Sequence, residues 1–259
     1  MIKLENTEVV GWEHAIRGMR NPMNSWEKSD SEFIRDPDYG CSGNCPCEDI
    51  DGRCDCCFIG PNDLDLMKRL CNAGTDHRKF MRMITVYVDI TAPLYWWKEF
   101  DTYKVGTVAN SCSTMHKIHT KEFTLEDFSC EHLVSGWVGR DSNGVIVSIP
   151  GPMEKLESTI ELLNSIREAY LIVKNTPKEQ IDWSVTPALS AKEIWWQMIQ
   201  LLPSSYNQKR TVMLNYEVLA NIYKSRRNHK LDEWKDFCKW IEGLPYSKLI
   251  TGQLVEEKG

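Results

Sequence analysis

The chain has 259 residues, a formal net charge of −6, 42% hydrophobic residues and 26% charged residues. These values fit a globular protein, and the acidic excess argues against a general binder of nucleic acid or anionic membranes, which normally carries surplus Lys and Arg. No apolar run approaches the ~20 residues that span a bilayer, and the N-terminus lacks the apolar stretch of a secretion signal, so we expect a cytoplasmic protein without a membrane or nucleic-acid partner.

The N-terminal part contains few predicted elements. A strand-like segment, Thr7–Gly11, precedes a helix over Trp12–Met19, which ends before an Asn-Pro step because the residue before proline disfavours helical dihedrals. Residues 26–62 are polar and contain many Pro, Gly and Asp residues, which is long for a loop inside a domain. Asn62 is the predicted N-cap of a helix that stops at Gly74.

The polar loop is rich in cysteine. Six of the ten cysteines lie in it, with the spacing C-x3-C-x-C-x6-C-x-C-C: Cys41, Cys45, Cys47, Cys54, Cys56 and Cys57. In a reducing compartment clustered thiols favour a metal site over disulfides, although this spacing does not match two separated C-x2-C pairs. Two interpretations remain open, a zinc site formed by a subset of these thiols or an exposed thiol-rich loop. The other cysteines are scattered through helical or core-like segments: Cys71, Cys112, Cys130 and Cys238.

The centre of the chain combines a strand, a helix and a polar loop. The β-rich run Ile84–Ile90 leads through Ala-Pro into an aromatic helix predicted over Tyr95–Tyr103. Small polar residues then fill Gly106–Ser113, which we predict to be a loop. Short hydroxyl and amide side chains after a helix are typical of a phosphate or cofactor loop, because they let the backbone approach an anion.

The C-terminal half is mostly helical. A strand over Val145–Ile149 follows the turn Asp-Ser-Asn-Gly, and a long helix begins at Pro152 with apolar residues spaced by three and four through Val173. The remaining predicted helices are Ser190–Leu202, Leu214–Lys224 and Leu231–Ile241. The pattern predicts one α+β domain over residues 1–259, with a small antiparallel or mixed sheet, several helices and a Cys-rich insertion at about residues 36–60.

Four blocks of sequence, in order, resemble the flavin-dependent thymidylate synthases. They are DLDLMKRLCNAGTDHRKF, ITVYVDITAP, WWKEFDTYKVGTVANSCSTMH and LLPSSYNQKRTVMLNYEVLANIYKSRRNHKLDEW, within residues 63–240. The last block has the family's Leu-Pro and turn, followed by an Asn, a second Asn six residues on, and an Arg five residues further: Asn215, Asn221 and Arg226. Enzymes of this family are homotetramers that make dTMP from dUMP with methylenetetrahydrofolate, NADPH and bound FAD.

The resemblance implies roles for individual residues. Arg226 would be the catalytic residue, a cation beside the pyrimidine carbonyl, while Glu99 would lie near the sugar or base and Ser113 would bind the nucleotide phosphate. The residues implied at the flavin are Lys104, Asn110, Asn215 and Asn221. In this family the reduced flavin does the covalent work, and the protein holds the flavin against the pyrimidine.

The sequence also departs from the family. Its Arg-His-Arg signature is absent, and only Lys104 is placed to supply one of those cations, without the planar fork of arginine. Ser111 stands where the family has Glu, and Met115 and His116 replace Arg-Tyr. We therefore weigh a methyltransferase acting on dUMP or a related pyrimidine nucleotide against a non-catalytic nucleotide- or flavin-binding protein of the same fold. A third reading, a metal-dependent interaction module, depends on the cysteine cluster alone.

Overall fold

The computed structural model describes residues 2–33, 57–177 and 189–252, with the backbone alone for Cys57, Val147, Ile149 and Pro150. The described residues divide into two compact units. We call the first the sheet unit (residues 2–33, 57–91, 98–111 and 209–252) and the second the helix-pair unit (residues 92–97, 112–177 and 189–208). The single domain over residues 1–259 stays a prediction.

The elements follow one another in a mixed order. The strands are β1 (Lys3–Val10), β2 (Glu32–Phe33), β3 (Cys57–Phe58), β4 (Thr85–Pro93), β5 (Val108–Ser111), β6 (Gly136–Arg140), β7 (Ile146–Pro150) and β8 (Asn207–Asn215). The helices are α1 (Trp12–Arg20), α2 (Pro61–Asn72), α3 (Leu94–Phe100), α4 (Thr114–Lys117), α5 (Pro152–Asn175), α6 (Ala191–Leu201), α7 (Tyr216–Arg226), α8 (Asp232–Glu242) and α9 (Lys248–Thr251). This arrangement confirms the α+β class.

The main sheet has four strands in the order β1-β4-β8-β5. β1 pairs antiparallel with β4, with Lys3 opposite Thr91, and β5 pairs antiparallel with β8, with Val108 opposite Met213. In β4 the side chains alternate, so that Val86, Val88 and Ile90 are buried while Tyr87 is exposed on the other face. The sheet therefore has one buried face and one open face.

Helices cover the buried core of the sheet unit. Trp12 of α1 and Tyr216 of α7 are both buried, and their rings meet edge to face at 5.3 Å. Phe100 and Phe237 of α8 also meet edge to face, at 6.1 Å. These ring contacts join α1 to α7 and α3 to α8.

The helix-pair unit is built on α5 and α6, which pack against each other. Its core contains Leu163 of α5, Met198 of α6, Phe123 and Phe128. β6 and β7 form a separate two-stranded hairpin around a turn in which Gly144 has φ +82°. The sequence predicted β7 and this turn but missed β6.

Two further predictions were wrong because they concern strands that pair with a distant part of the chain. Residues 106–113 were expected to be a loop, but Val108–Ser111 is an edge strand, and the helix expected from Leu214 begins only at Tyr216, after the strand Asn207–Asn215. These strands stabilise each other by pairing across about a hundred residues of sequence, so neither shows a strong local signal. Asn215 caps α7 by accepting a hydrogen bond from the Val218 backbone N–H at 3.0 Å.

The start of α2 also differs from the prediction. Gly60, not Asn62, is the N-cap, and proline occupies the first helical position. The Asp30 carboxylate accepts hydrogen bonds from the backbone N–H groups of Asn62 and Asp63, at 2.9 and 3.1 Å. A distant carboxylate thus takes the capping role that the sequence assigned to Asn62. The predicted C-terminal end of this helix agrees more closely with the structure, because α2 ends at Asn72 and Gly74 follows with φ +112°.

The helices with strong local signals match their predictions closely. α1 extends one residue beyond its predicted end, α5 begins at Pro152 as predicted, and α8 is displaced by one residue. α6 has a capping box in which Ser190 and Glu193 satisfy each other's backbone N–H groups. Among residues 2–33, 57–177 and 189–252, no helix combines the length and apolarity that crossing a bilayer requires.

Candidate functional site

An ion pair between Glu99 and Arg226 forms the centre of the candidate site, within the sheet unit. Glu99 lies in the last turn of α3 and Arg226 at the end of α7, 127 residues apart in sequence. Nη1 of Arg226 donates to Oε2 of Glu99 at 2.7 Å. A cation is favourable at the C-terminal end of a helix, where the carbonyl groups carry partial negative charge. The pair unites two residues that the resemblance assigned to the nucleotide.

Two aromatic side chains hold the arginine in place. The Tyr103 hydroxyl accepts a hydrogen bond from Nε of Arg226 at 2.9 Å. The guanidinium carbon lies 4.8 Å from the ring centroid of Trp234 and 5.7 Å from that of Tyr103, within the range of cation–π attraction. The indole N–H of the buried Trp234 donates to Oε2 of Glu99 at 2.9 Å. The Arg226 guanidinium therefore has a fixed orientation over an apolar floor.

His229 is a second basic side chain near the Glu99 carboxylate. Its Nδ1 accepts a hydrogen bond from the Leu231 backbone N–H at 3.2 Å, which places the proton of the neutral ring on Nε2. That Nε2 lies 3.5 Å from Oε2 of Glu99, at the outer limit of a hydrogen bond. Two hydrogen-bond donors, from Arg226 and Trp234, therefore converge on Oε2 of Glu99, and Nε2 of His229 lies nearby.

This convergence leaves one acceptor and one donor available. Within the described residues, Oε1 of Glu99 receives no hydrogen bond and Nη2 of Arg226 makes none. The Glu99 side chain is 34% exposed and the Arg226 side chain 19%. A ligand can therefore reach a carboxylate oxygen and a guanidinium N–H group whose positions are already fixed.

A second polar cluster in the sheet unit surrounds the N-terminal end of α7. The carbonyl oxygen of the Asn215 side chain is used in capping, so its amide nitrogen remains a donor. Gly106 has φ +80°, and a Cβ there would lie 3.0 Å from Nδ2 of Asn215 and 3.1 Å from Cγ2 of Val218. Oγ1 of Thr107 is buried and has no hydrogen-bond partner in the described part of the chain. This combination of a close backbone and an unsatisfied hydroxyl is suited to a polar ligand group.

The other predicted residues do not join the Glu99–Arg226 cluster. Lys104 is exposed and forms no ion pair within the described residues, and Tyr103 beside it makes the contact with Arg226 instead. Asn110 lies on the edge strand β5 opposite Thr211, and Asn221 is exposed on α7.

Ser113 belongs to the helix-pair unit, where its hydroxyl caps α4 by accepting a hydrogen bond from the His116 backbone N–H at 3.0 Å. The structure thus gives this side chain a local role. Its assignment to the nucleotide phosphate stays a prediction.

Sequence reasoning missed Trp234, His229 and Thr107 as candidate site residues. Trp234 and His229 were visible only as part of the last resembling block, and nothing local showed that they meet Glu99. Thr107 lay inside the segment that we expected to be a cofactor loop, but a hydroxyl that lacks a partner is recognised only in the folded chain. Tyr103 was noted as part of the missing signature and not as an arginine partner.

The cysteines give no catalytic candidate in the described part of the chain. Burial raises the pKa of the Cys71 and Cys238 thiols to about 11, so both are protonated near neutral pH. Across the described residues, no group of three or more His, Cys, Asp or Glu side chains is placed to hold a metal ion. The five cysteines Cys41, Cys45, Cys47, Cys54 and Cys56 and the side chain of Cys57 lie outside the described residues, so the zinc site stays a prediction.

Comparison with known proteins gives many solved chains of similar fold, among them two different enzymes. No protein-family model and no curated protein sequence matches the chain. Thymidylate synthase X (ThyX) from Helicobacter pylori, solved with FAD and dUMP, has a TM-score of 0.56 and 15% identity, with 98% of each chain covered. The UMP/dUMP methylase PolB from Streptomyces cacaoi, bound with 5-Br dUMP, has a TM-score of 0.51 and 12% identity, with 98% of this chain and 94% of PolB covered.

Coverage of nearly the whole chain means that the likeness is not limited to one element, whereas identities of 12% and 15% leave the reaction to be argued from the residues. The chain therefore has the fold of the flavin-dependent thymidylate synthases, which confirms at the level of the fold the resemblance inferred from the sequence.

Proposed function

We propose that this chain is a nucleotide methylase of the ThyX type, which binds dUMP or a related uracil nucleotide at Glu99 and Arg226. The observation that supports this proposal is the pair of available atoms, one acceptor on Glu99 and one donor on Arg226, held by Tyr103 and Trp234. The similar structures of ThyX with dUMP and of PolB with 5-Br dUMP support the same class of ligand.

The chemistry of this pair matches the imide edge of uracil. That edge presents an N3–H donor flanked by carbonyl acceptors, so Oε1 of Glu99 would accept from N3 and Nη2 of Arg226 would donate to a carbonyl oxygen. Cytosine presents an unprotonated N3, which would face the carboxylate with two acceptors opposed. A positive group beside the carbonyl also favours negative charge on the ring, the role proposed for Arg226 in activating carbon 5.

The substitution Glu99→Gln tests this recognition. The two N–H donors that meet Oε2, from Arg226 and Trp234, would hold the amide oxygen of glutamine in the same place. The NH2 group would then take the position of Oε1, so that the acceptor becomes a donor. We expect the ratio of dUMP to dCMP affinity to fall by at least about tenfold, as measured by calorimetric titration. Glu8→Gln, an exposed change on β1, is the control, and an unaltered ratio in Glu99→Gln would contradict the assignment.

The polar cluster around Asn215 fits a flavin. Nδ2 of Asn215, the unsatisfied Oγ1 of Thr107 and the backbone at Gly106 would hold polar groups of bound FAD, and Asn110, Asn221 and Lys104 are the further candidates implied by the resemblance. When bound, FAD supplies the redox chemistry of the reaction. In the proposed reaction, NADPH is the reductant and methylenetetrahydrofolate is the carbon donor. We further propose that the protein is a homotetramer in the cytoplasm. These last assignments depend on the resemblance alone.

The visible spectrum of the purified protein tests flavin binding and separates the two function classes. We expect flavin absorbance to be retained after gel filtration with FAD and to shift when dUMP is added. Thr107→Val, which keeps the shape of the side chain but removes the hydroxyl, should weaken FAD binding by about fivefold. Thr91→Val in β4 is a matched control outside the cluster.

If the protein retains no flavin after gel filtration under any condition, the flavin assignment is wrong. The alternative, a non-catalytic nucleotide- or flavin-binding protein of the same fold, is favoured by the missing Arg-His-Arg signature. A protein that binds only nucleotide would bind dUMP without retaining flavin, and either form would make no dTMP.

A further inference from the structure

Basic side chains gather around Tyr170 in the helix-pair unit, outside the clusters around Glu99 and Asn215. His119 packs on the Tyr170 ring with 4.8 Å between centroids, and Nζ of Lys174 lies 5.3 Å from the centroid of the same ring. Nε of Arg167, about two turns before Lys174 on the same side of α5, donates to the backbone carbonyl of His119 at 3.0 Å. Lys117 ends α4, two residues before His119.

Among the residues that the structure describes, these cations have no acidic partner. The side chains at three- and four-residue spacing from Tyr170 on α5 are Arg167, Ile166, Val173 and Lys174, none of which is acidic. Within the described residues, neither Lys117, Arg167 nor Lys174 forms an ion pair, whereas Lys121 in the same unit pairs with Asp127. An uncompensated basic cluster is unusual in a chain of net charge −6.

The position of His119 indicates that the positive charges converge on one point. Its Nδ1 is buried and has no hydrogen-bond partner among the described residues. Burial lowers the pKa of His119, and the charges of Lys174, Lys117 and Arg167 lower it further. Lys174 and Arg167 thus flank His119 through the Tyr170 ring and the His119 backbone, and a bound anion would offset their positive charges.

We infer that Lys117, His119, Arg167 and Lys174 form a binding site for the phosphate groups of a small molecule. A phosphate or diphosphate carries more than one negative charge and several acceptor oxygens, so it can engage two lysines and the free N–H groups of an arginine together. A monocarboxylate would leave most of these donors unused. Tyr170 supports the site by holding His119 and Lys174 on its ring, and Arg167 fixes the backbone at His119.

Calorimetric titration of the full-length protein with inorganic pyrophosphate tests the site. The double substitution Lys117→Gln and Lys174→Gln removes two exposed cations without touching the core, and we expect the affinity for pyrophosphate to fall at least about tenfold. Lys155→Gln, on the first turns of the same helix, removes an equivalent charge outside the cluster and should bind like the wild type. Arg167→Lys keeps the charge but loses the fork, and should weaken binding to a smaller degree.

A parallel titration with ribose 5-phosphate, a phosphomonoester without a base, distinguishes a diphosphate from a phosphomonoester as the preferred group. Loss of either titration in the double variant, with Lys155→Gln unaffected, supports the site. The inference is overturned if the wild type gives no pyrophosphate binding, or if the double variant and Lys155→Gln bind equally well. Because neither probe carries a base, neither result bears on uracil recognition by Glu99 and Arg226.

Discussion

Replacing Arg226 with alanine is expected to lower the affinity for dUMP by at least about a hundredfold. The change removes the donor proposed to meet the pyrimidine carbonyl and also leaves the Glu99 carboxylate without its charged partner at 2.7 Å. Unpaired negative charge beside the base opposes binding of an electron-rich ring. Calorimetric titration with dUMP measures the effect, and dTMP formation should fall with it.

Two further variants separate this role from a general loss of charge or of fold. Arg227→Ala removes the neighbouring exposed arginine and should leave dUMP affinity unchanged. Arg226→Lys keeps one positive charge but cannot reach Tyr103 and Glu99 with separate nitrogens, so we expect only partial recovery. If Arg226→Ala binds dUMP as well as Arg227→Ala does, the proposed nucleotide site is wrong.

The largest expected effect on stability comes from Asp63→Ala. Asp63 is completely buried at the start of α2 and pairs with Arg20, which is 4% exposed, at 2.6 Å. Its other oxygen accepts hydrogen bonds from the hydroxyls of Ser29 and Ser31 and from the Asp30 backbone N–H. Removing the carboxylate leaves a buried guanidinium uncompensated, which lowers the free energy of unfolding by about 3–5 kcal/mol. Urea denaturation measures this difference.

A surface ion pair on the same helix provides the control. Asp65 pairs with Arg69 at 2.9 Å, but both side chains are more than 60% exposed, at 65% and 69%. Solvent screens such a pair, so Asp65→Ala should change the free energy of unfolding by no more than about 0.5 kcal/mol. Equal effects of Asp63→Ala and Asp65→Ala would show that the buried network does not stabilise the fold.

The contribution of Asp63 also depends on pH. Burial alone would raise the pKa of this carboxyl, but the hydrogen bonds from Ser31 and Ser29 and the charge of Arg20 outweigh it, so the pKa lies below its usual value. A lowered pKa means that the stabilisation is fully present above about pH 4 and is lost as the pH falls through the lowered pKa. The gap in stability between wild type and Asp63→Ala should therefore narrow in acid and stay constant from about pH 5 upward.

Local signals in the sequence predicted the helices well. α6 begins at a Ser190–Glu193 capping box and α5 at Pro152, and both signals depend on residues within one turn. The strands were harder to predict from the sequence, because β5 and β8 stabilise each other and carry a mixed pattern of charged and apolar residues. Their pairing was decided by tertiary contacts that no short window contains.

The candidate site also combines residues that the sequence revealed with contacts that only the folded structure revealed. The spacing of Asn215, Asn221 and Arg226 was visible in the sequence and pointed to the ThyX fold, which the structure confirms. The partners of Arg226 were not visible, because Glu99 and Tyr103 lie more than 120 residues away in sequence.

By itself, the sequence determined the fold class, the helices whose capping signals lie within one turn, and the family whose fold the chain resembles. The tertiary structure alone decided that Tyr103 and Trp234 hold Arg226 against Glu99, and that Lys117, Arg167 and Lys174 gather near His119. The physical reason is the separation along the chain between the residues that interact. Helix capping and periodic burial act over a few residues of chain, whereas a charge or a ring is positioned by whatever the folded chain brings within a few ångströms of it.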